Sequence, residues 1–374
     1  MSIAIKNFQV SAIDFRQGGV SLVEIMVALV LSLILLAGVG NIYLGSKQIY
    51  RAQDAQSRLQ ENARYAIEVL THDIRLAGYM GCQSSGTVKP GVLANSPLVV
   101  PYFSSWLPSG VILGPFISGG NNATGTPPAF ANPNPALAGS LSTNVVAGTD
   151  ALTVQFAEPC GGIILEGKSL STVNPGSVSG LLDSANTCGT GTVGTPLLIA
   201  DCQTAHIFRV DTGTTKNTGG GAATSALGKS YSAGSEIMRF RSYTYYIRCN
   251  NAGNCVSPSE PALYRYDNAG NSSDELTEGI ENMQIVYGVD TDGDDTANEY
   301  FAANSIHAVA NPKNPPDWQQ VVSVRITLTV RSVGEGADRV STAPNPSRVF
   351  NGSSLVDNRL FKTFSTTISL RNQM

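Results

Sequence analysis

The stretch that decides the fold reads Gly19-Val20-Ser21-Leu22-Val23-Glu24 and continues into residues 25–46, which carry no charged side chain. An apolar run of this length crosses a bilayer of roughly 30 Å as a helix. Glu24 is the anomaly, because a carboxylate near the edge of an apolar helix costs ~2 to 3 kcal/mol on insertion. The sequence therefore predicts a membrane helix over residues 20–44 whose one acidic side chain needs a cationic partner.

Gly19 precedes the apolar run, and the leader of residues 1–19 contains the cations Lys6 and Arg16. A secretory signal peptide has its small-residue cleavage site after the apolar core instead. A cut between Gly19 and Val20 releases an α-amino group four residues before Glu24. That amine on one subunit is a suitable partner for Glu24 on another, while the basic leader stays in the cytoplasm.

Beyond residue 46 the apolar residues recur with the period of an amphipathic helix. Polar residues such as Arg58 and Glu61 take the other side, and Gly78 and Gly81 are typical of a helix end. The sequence predicts one helix over residues 21–77, apolar on all sides over 20–44 and one-sided over 45–78. The apolar positions of the one-sided part follow steps of three and four: Ile49, Ala52, Ala55, Leu59, Ala63, Ala66, Ile67, Leu70, Ile74 and Ala77.

Residues 79–374 differ in composition and predict a β-rich head. Charged residues make up 14% of the chain, its net charge is −4, and no basic stripe occurs, which excludes a nucleic-acid binder. Residues 83–149 are rich in Pro, Gly, Asn and Ser and predict a surface loop or insertion. Eight later runs predict mostly antiparallel strands: residues 151–156, 196–200, 206–210, 237–247, 262–266, 283–289, 321–330 and 361–370.

All six cysteines follow the predicted membrane segment, and an even number in an exported domain favours disulfides. Because six cysteines allow fifteen connectivities, we rank the pairs by proximity in the sequence. The predicted pairs are Cys249 with Cys255, then Cys188 with Cys202, which leaves Cys82 with Cys160.

Residues 290–299 form an acidic segment with two alternative interpretations. Asp290, Asp292 and Asp294 take the first, third and fifth positions of an EF-hand-type calcium loop, with Glu299 near its end. Asp295 stands where such a loop needs glycine, and the twelfth position is not a glutamate. A polar turn uses the same residue types. A calcium ion held by Asp290, Asp292, Asp294 and Glu299 and an ion-free turn both stay open.

No catalytic constellation is recognisable in the sequence. No serine lies in a G-x-S-x-G context, and cysteines tied up in disulfides are poor nucleophiles. The sequence predicts a protein that is not an enzyme and requires no cofactor.

The N-terminal pattern resembles the signature of type IV prepilins. That family has a short basic leader, a glycine before the cleavage site, a glutamate at the fifth mature position and about twenty apolar residues. Gly19, Val20 and Glu24 match the cleavage, methylation and assembly positions, although Val20 replaces the usual aromatic residue. The glycines at 38, 40 and 45 suit either close helix packing in lipid or a segment that unwinds when the subunit enters a filament.

Four later blocks resemble PilW-type minor pilins and occur in the same order. The resemblance weakens over residues 83–149, and the loop between Cys249 and Cys255 is an addition to it. Minor pseudopilins of type II secretion share the helix and the signature, and they are the alternative. The blocks are residues 60–66 with 73–82, 197–202 with 207–210, 245–248 with 262–265, and 287–294.

This resemblance implies an α+β, pilin-like lollipop, in which a long N-terminal helix packs on a β-rich head. It implies a minor pilin that helps to prime type IV pilus assembly and lies at or near the pilus tip. Before assembly the head is periplasmic and the helix lies in the inner membrane; afterwards the protein is on the cell surface. The implied partners are a prepilin peptidase, other minor pilins, the major pilin, the inner-membrane assembly platform and a tip adhesin.

Overall fold

The long α-helix α1 runs from Leu22 to Leu76 and agrees with the helix predicted over residues 21–77. It ends where the sequence predicts, because Gly78 adopts a left-handed conformation with φ +76°. A glycine takes that conformation after a helix C-terminus at little steric cost. The N–H of Gly78 donates to the carbonyl of Gln155 at 3.0 Å, so the chain turns directly onto a strand.

The chain divides into two compact units, Met1–Gln53 and Asp54–Met374. In the computed structural model the described residues are 19, 21–81, 91–92, 116–124, 129–134, 145–172, 178, 180–183, 185–189, 195–209, 226–249, 260–268, 270, 272–306, 318–333, 345–350, 353–357 and 359–372. The leader of residues 1–18, Val20, Cys82 and Cys255 lie outside them. The predicted boundaries of leader, membrane segment and head stay predictions.

In the second unit, the continuation of α1 buries one face in the main core. The buried positions repeat at steps of three and four, as the one-sided pattern of the sequence predicts. At roughly 25 cal/mol for each Å² of apolar surface buried, this stripe is a main contribution to the stability of the unit. The buried apolar residues of the stripe are Ala55, Leu59, Ala63, Ala66, Leu70, Ile74 and Ala77.

In the described part of the chain, the larger sheet has nine strands in the order β1-β7-β6-β9-β4-β2-β3, with β10 on the remaining part of β9 and β11 on β10. Only β1 and β7 are parallel; every other pair is antiparallel. The strands are β1 Gly91–Val92, β2 Ile117–Thr124, β3 Ala129–Asn134, β4 Ala151–Ile163, β6 Pro196–Asp201, β7 Thr204–Arg209, β9 Glu236–Cys249, β10 Pro261–Asp267 and β11 Ser272–Glu278, with β5 Ser169–Thr172 and β8 Ala226–Ser232 paired separately.

The second sheet has four antiparallel strands in the order β13-β12-β14-β17. Its alternating residues Val324, Ile326, Leu328 and Val330 are buried in the same core as α1. Short 3-10 helices precede this sheet's β14 at Trp318–Gln320 and follow β13 at Ala303–Ser305. The strands are β12 Ile280–Val289, β13 Glu299–Phe301, β14 Val321–Arg331 and β17 Phe361–Ser369; β15 Asn345–Phe350 and β16 Ser353–Asp357 form a separate pair.

One long helix and a head of mostly antiparallel strands confirm the predicted α+β fold class. All eight predicted strands are present, and their ends differ by at most three residues except in β4, which continues past the predicted end at Phe156 to Ile163. The prediction of a surface loop over residues 83–149 is wrong for β2, which pairs with β4 in the larger sheet. Gly119 of β2 lies so close to Tyr287 that a Cβ at this position would be 2.0 Å from the tyrosine hydroxyl. A residue without a side chain is therefore needed there.

Two of the three predicted disulfides are wrong, because Cys160 is bonded to Cys188. After β4 the chain folds back and passes the end of this strand again, where the N–H of Thr187 donates to the carbonyl of Cys160 at 2.9 Å. This return brings the Cα atoms of Cys160 and Cys188 to 4.9 Å, whereas Cys202 lies in the turn between β6 and β7. Cys202 takes part in a disulfide bond, and so does Cys249. The predicted pair Cys249 with Cys255 stays a prediction.

Candidate functional site

The N-terminal end of α1 places Glu24 in the first helical turn. The N–H groups of Glu24 and Ile25 donate to the carbonyl of Ser21 at 3.0 and 3.2 Å. Ser21 and Glu24 have the spacing of a capping box, and the positive end of the helix dipole favours a carboxylate there. The predicted cleavage after Gly19 would add the positive charge of an α-amino group near the same end of the helix, and this charge would increase the need for the Glu24 carboxylate.

Glu24 is exposed and, among the described residues, forms no ion pair. Gly19 is exposed as well, so the backbone at the predicted cleavage site is accessible on its glycine side. The predicted cleavage position and Glu24 are thus both exposed, and no described residue forms an ion pair with Glu24.

The apolar surface of α1 after Glu24 is uncovered in the single chain. Every large apolar side chain from Leu22 to Tyr50 is exposed, from 50% for Ile25 to 73% for Leu22. The helix is long and apolar enough to cross a membrane by length and composition. It is continuous through Gly38, Gly40 and Gly45, and a Cβ at each would contact nothing. Among the described residues these glycines have no close packing contact, and both predicted uses, close helix packing in lipid and unwinding in a filament, stay predictions.

A buried carboxylate, Asp73, lies in the apolar stripe of α1 and was not singled out in the sequence. It is 5% exposed and accepts a hydrogen bond from the hydroxyl of Tyr245 on β9. Its other oxygen lies 2.8 Å from Nδ1 of the exposed His72. Burial and the Asp73 carboxylate raise the pKa of Tyr245. Position 73 lies on the apolar stripe, three residues after Leu70. An acidic residue at such an apolar position is the sequence signal that could have revealed this contact.

Asp73 and Tyr245 lie beside a groove of about 470 Å³ between α1 and the larger sheet. Arg265 of β10 hydrogen-bonds Tyr245, and its guanidinium carbon lies 4.6 Å from the centroid of the Tyr243 ring. Burial alone would lower the pKa of Arg265, but the nearby tyrosines and Asp73 raise it. The groove is lined by Tyr65, Glu68, Val69, His72, Asp73, Leu76, Phe156, Glu158, Pro159, Tyr243 and Arg265.

The acidic segment forms a tight turn after β12. The carboxylate of Asp290 accepts the N–H groups of Gly293, Asp295 and Asp292 at 2.6, 2.8 and 3.1 Å. The N–H of Gly293 is the largest of the contributions that lower the pKa of Asp290. Asp295 has φ 62° at the position where a calcium loop has glycine.

One carboxylate oxygen from each of Asp290, Asp292 and Asp294 lies within 4.8 Å of the others. Glu299 is not in this group and begins β13 instead. The structure thus brings together three of the four predicted calcium ligands, and backbone N–H groups already use both oxygens of Asp290.

Comparison with known families matches two separate parts of the chain. Residues 14–40 match the prokaryotic N-terminal methylation motif, which includes Gly19, Val20 and Glu24. Residues 244–372 match the family of type IV pilus-assembly protein W, and this part includes β10 to β17. No curated relative and no solved structure shows significant similarity to the chain. The two matches confirm the resemblance to PilW-type proteins and support a minor pilin of the type IV pilus.

Proposed function

We propose that this protein is a minor pilin that helps to prime type IV pilus assembly and lies at or near the pilus tip. One observation carries the proposal: Glu24 occupies the first turn of a helix whose apolar surface is uncovered, within the residues that match the methylation motif. The protein acts by assembly, and pilin-type domains are structural.

The proposed mechanism begins in the inner membrane, with the head in the periplasm. A prepilin peptidase cuts after Gly19, and the new amine of Val20 is methylated. An α-amino group keeps its proton near pH 7. In the packed helices, Glu24 of one subunit neutralises the Val20 amine of a neighbour. Since an unpaired buried charge is costly, this pair disfavours misplaced subunits and fixes the register.

The proposed partners are the prepilin peptidase, other minor pilins, the major pilin, the inner-membrane assembly platform and a tip adhesin. Both the apolar surface of α1 and the family matches support partners of the pilin type. The PilW match favours a pilus over a secretion pseudopilus. Deletion of the gene tests this choice: a minor pilin predicts loss of twitching motility, and a pseudopilin predicts loss of secreted enzymes instead.

Replacement of Gly19 by leucine tests the processing step. We expect the Gly19→Leu precursor to stay uncut and to migrate above the mature protein on a gel. Gly38→Leu is the matched control, since Gly38 lies within α1 and far from the cleavage site. Normal cleavage of the Gly19→Leu protein would contradict the proposal.

The role in assembly requires no cofactor, and calcium at the acidic turn is a separate proposal from the sequence. The convergence of the Asp290, Asp292 and Asp294 oxygens supports it. Titration of the purified protein with calcium tests it through the melting temperature. A rise in millimolar calcium that Asp292→Asn abolishes supports bound calcium, and no rise shows an ion-free turn.

A further inference from the structure

Strand β17 forms an edge of the four-stranded sheet and, among the described residues, pairs only with β14. The pairing has no bulge. The N–H of Leu370 donates to the carbonyl of Val322, and the N–H of Ser332 donates to the carbonyl of Leu360. Bonded and non-bonded pairs alternate along an antiparallel ladder. The even-numbered residues of β17 therefore bond to β14.

The odd-numbered residues of β17 point their backbone N–H and C=O groups away from β14. Thr363, Ser365, Thr367 and Ser369 are exposed, and within the described part of the chain nothing bonds their backbone on that side. Such a row of unpaired backbone groups is a template for another strand.

The sequence of β17 leaves this edge open. The strand contains no proline, and Lys362 at its start is its one charged residue. Edge strand β11 of the larger sheet carries Asp274, Glu275 and Glu278, and such charges keep a sheet edge from pairing. The difference indicates that β17 is available to a partner and β11 is not.

The two faces of β17 define the kind of strand that fits. On the inner face, Ile368 is buried and Phe364 packs against the main core. On the outer face, the exposed Ser365 lies 3.2 Å from the hydroxyl of Thr327. A partner strand with alternating apolar and polar residues would extend the apolar inner face and the polar outer face of the sheet. An acidic residue of that strand beside Lys362 would complement the charge of the lysine.

Neither β13 nor β11 of a second copy supplies such a strand. The opposite edge of the same sheet, β13, has three residues, and β11 offers Leu276 as its one apolar side chain. Two β17 strands can pair with each other about a twofold axis perpendicular to the sheet, but this reverses the direction of one copy. Helices packed in one filament run in the same direction, so such self-pairing does not fit a filament. We propose that β17 accepts a strand from a different pilin subunit; the identity of this partner rests on the proposed function.

Site-specific photo-crosslinking in piliated cells tests this proposal on the full chain. A photoreactive amino acid replaces Thr363 or Thr367, and matched controls replace Ser272 or Asp274 on the protected edge β11. Crosslinked peptides are sequenced, together with the N-terminal peptide of this protein. We expect both β17 positions to reach one extended segment of one other pilin subunit, about four residues apart because paired strands advance in step. We expect the β11 positions to give no such product.

Thr367→Pro sharpens the test, because it removes an outward N–H and leaves the bonds to β14 intact. We expect an unchanged melting temperature and at least about a tenfold loss of crosslinking from Thr363, since proline cannot donate to a ladder. A chain that begins at Val20 but gives no crosslink in register, or crosslinks only to its own copy, overturns the edge proposal alone. A chain that keeps its leader in piliated cells overturns the proposed function as well.

Discussion

The two parts of α1 form one continuous helix and bury their side chains differently. From Leu22 to Leu44 the large apolar residues lie on all sides of the helix, and those from Leu22 to Tyr50 are exposed in the single chain. From Asp54 to Leu76 they form one stripe that is buried in the head, with Asp73 as its one buried acidic residue. Because the first part has no apolar partner within the described chain, substitutions there should affect assembly, and substitutions in the second part should affect stability.

Glu24→Ala should have the largest effect and leave the stability of the head unchanged. The substitution leaves the amine of a neighbour without its counter-charge, which costs about 3–5 kcal/mol when buried. We expect normal insertion into the membrane and a sharp loss of piliation. Electron microscopy of pili and membrane fractionation measure the two results. Glu61→Ala, at an exposed position of the second part, is the matched control.

Leu70→Ala should destabilise the head, because Leu70 is fully buried in the main core. Removal of a buried leucine side chain costs about 2–5 kcal/mol. Leu33→Ala is the matched control in the first part, where Leu33 is 63% exposed in the single chain. Thermal unfolding of both proteins in detergent measures the difference. Equal melting temperatures would break the distinction between the two parts of the helix.

Asp73→Asn should have a smaller effect on the same unfolding transition. It replaces the ionised acceptor of the Tyr245 hydrogen bond, and hydrogen bonds to charged groups contribute about 1.5–3 kcal/mol. Asp54→Asn removes an exposed pair with Arg58, which contributes about 0–1 kcal/mol. Denaturant titration should show a clear loss for the first variant only. A similar loss for both would show that the buried contact is no stronger than a surface pair.

Alkaline pH should give the smallest effect and reports on the same contact. The pKa of Tyr245 is raised in the folded protein above its ordinary value of 10.0. Above pH 10 the unfolded chain releases this proton while the folded chain keeps it, so the free energy of unfolding falls as the pH rises. One such group contributes a slope of about 1.4 kcal/mol per pH unit. Tyr245→Phe should lose that part of the slope between pH 10 and 11.

The sequence is sufficient for those parts of the fold that follow local periodicity. Helix α1, its end at Gly78 and the alternation of Val324, Ile326 and Leu328 in β14 are confirmed. Strand β2 was missed because its glycines and asparagines lack that alternation. Residues 117–120 pair with β4, and Gly119 lies close to Tyr287.

Contacts between residues distant in the sequence could not be predicted. Proximity in the sequence favoured Cys188 with Cys202, but the return of the chain to β4 joins Cys188 to Cys160. The partner of Asp73, Tyr245, is 172 positions away in the sequence. The sequence therefore shows an acidic residue at an apolar position but does not show that Tyr245 is its partner. By contrast, roles for Gly19 and Glu24 can be predicted from the sequence because they depend on spacing along one segment, and these roles stay predictions.

The mass of the N-terminal peptide of this protein, recovered from sheared pili, tests the pairing of Glu24 with a liberated amine most directly. We expect a peptide that begins at Val20 and carries one added methyl group on its amine. A peptide that retains the leader, in protein that is assembled into the pili, would contradict it.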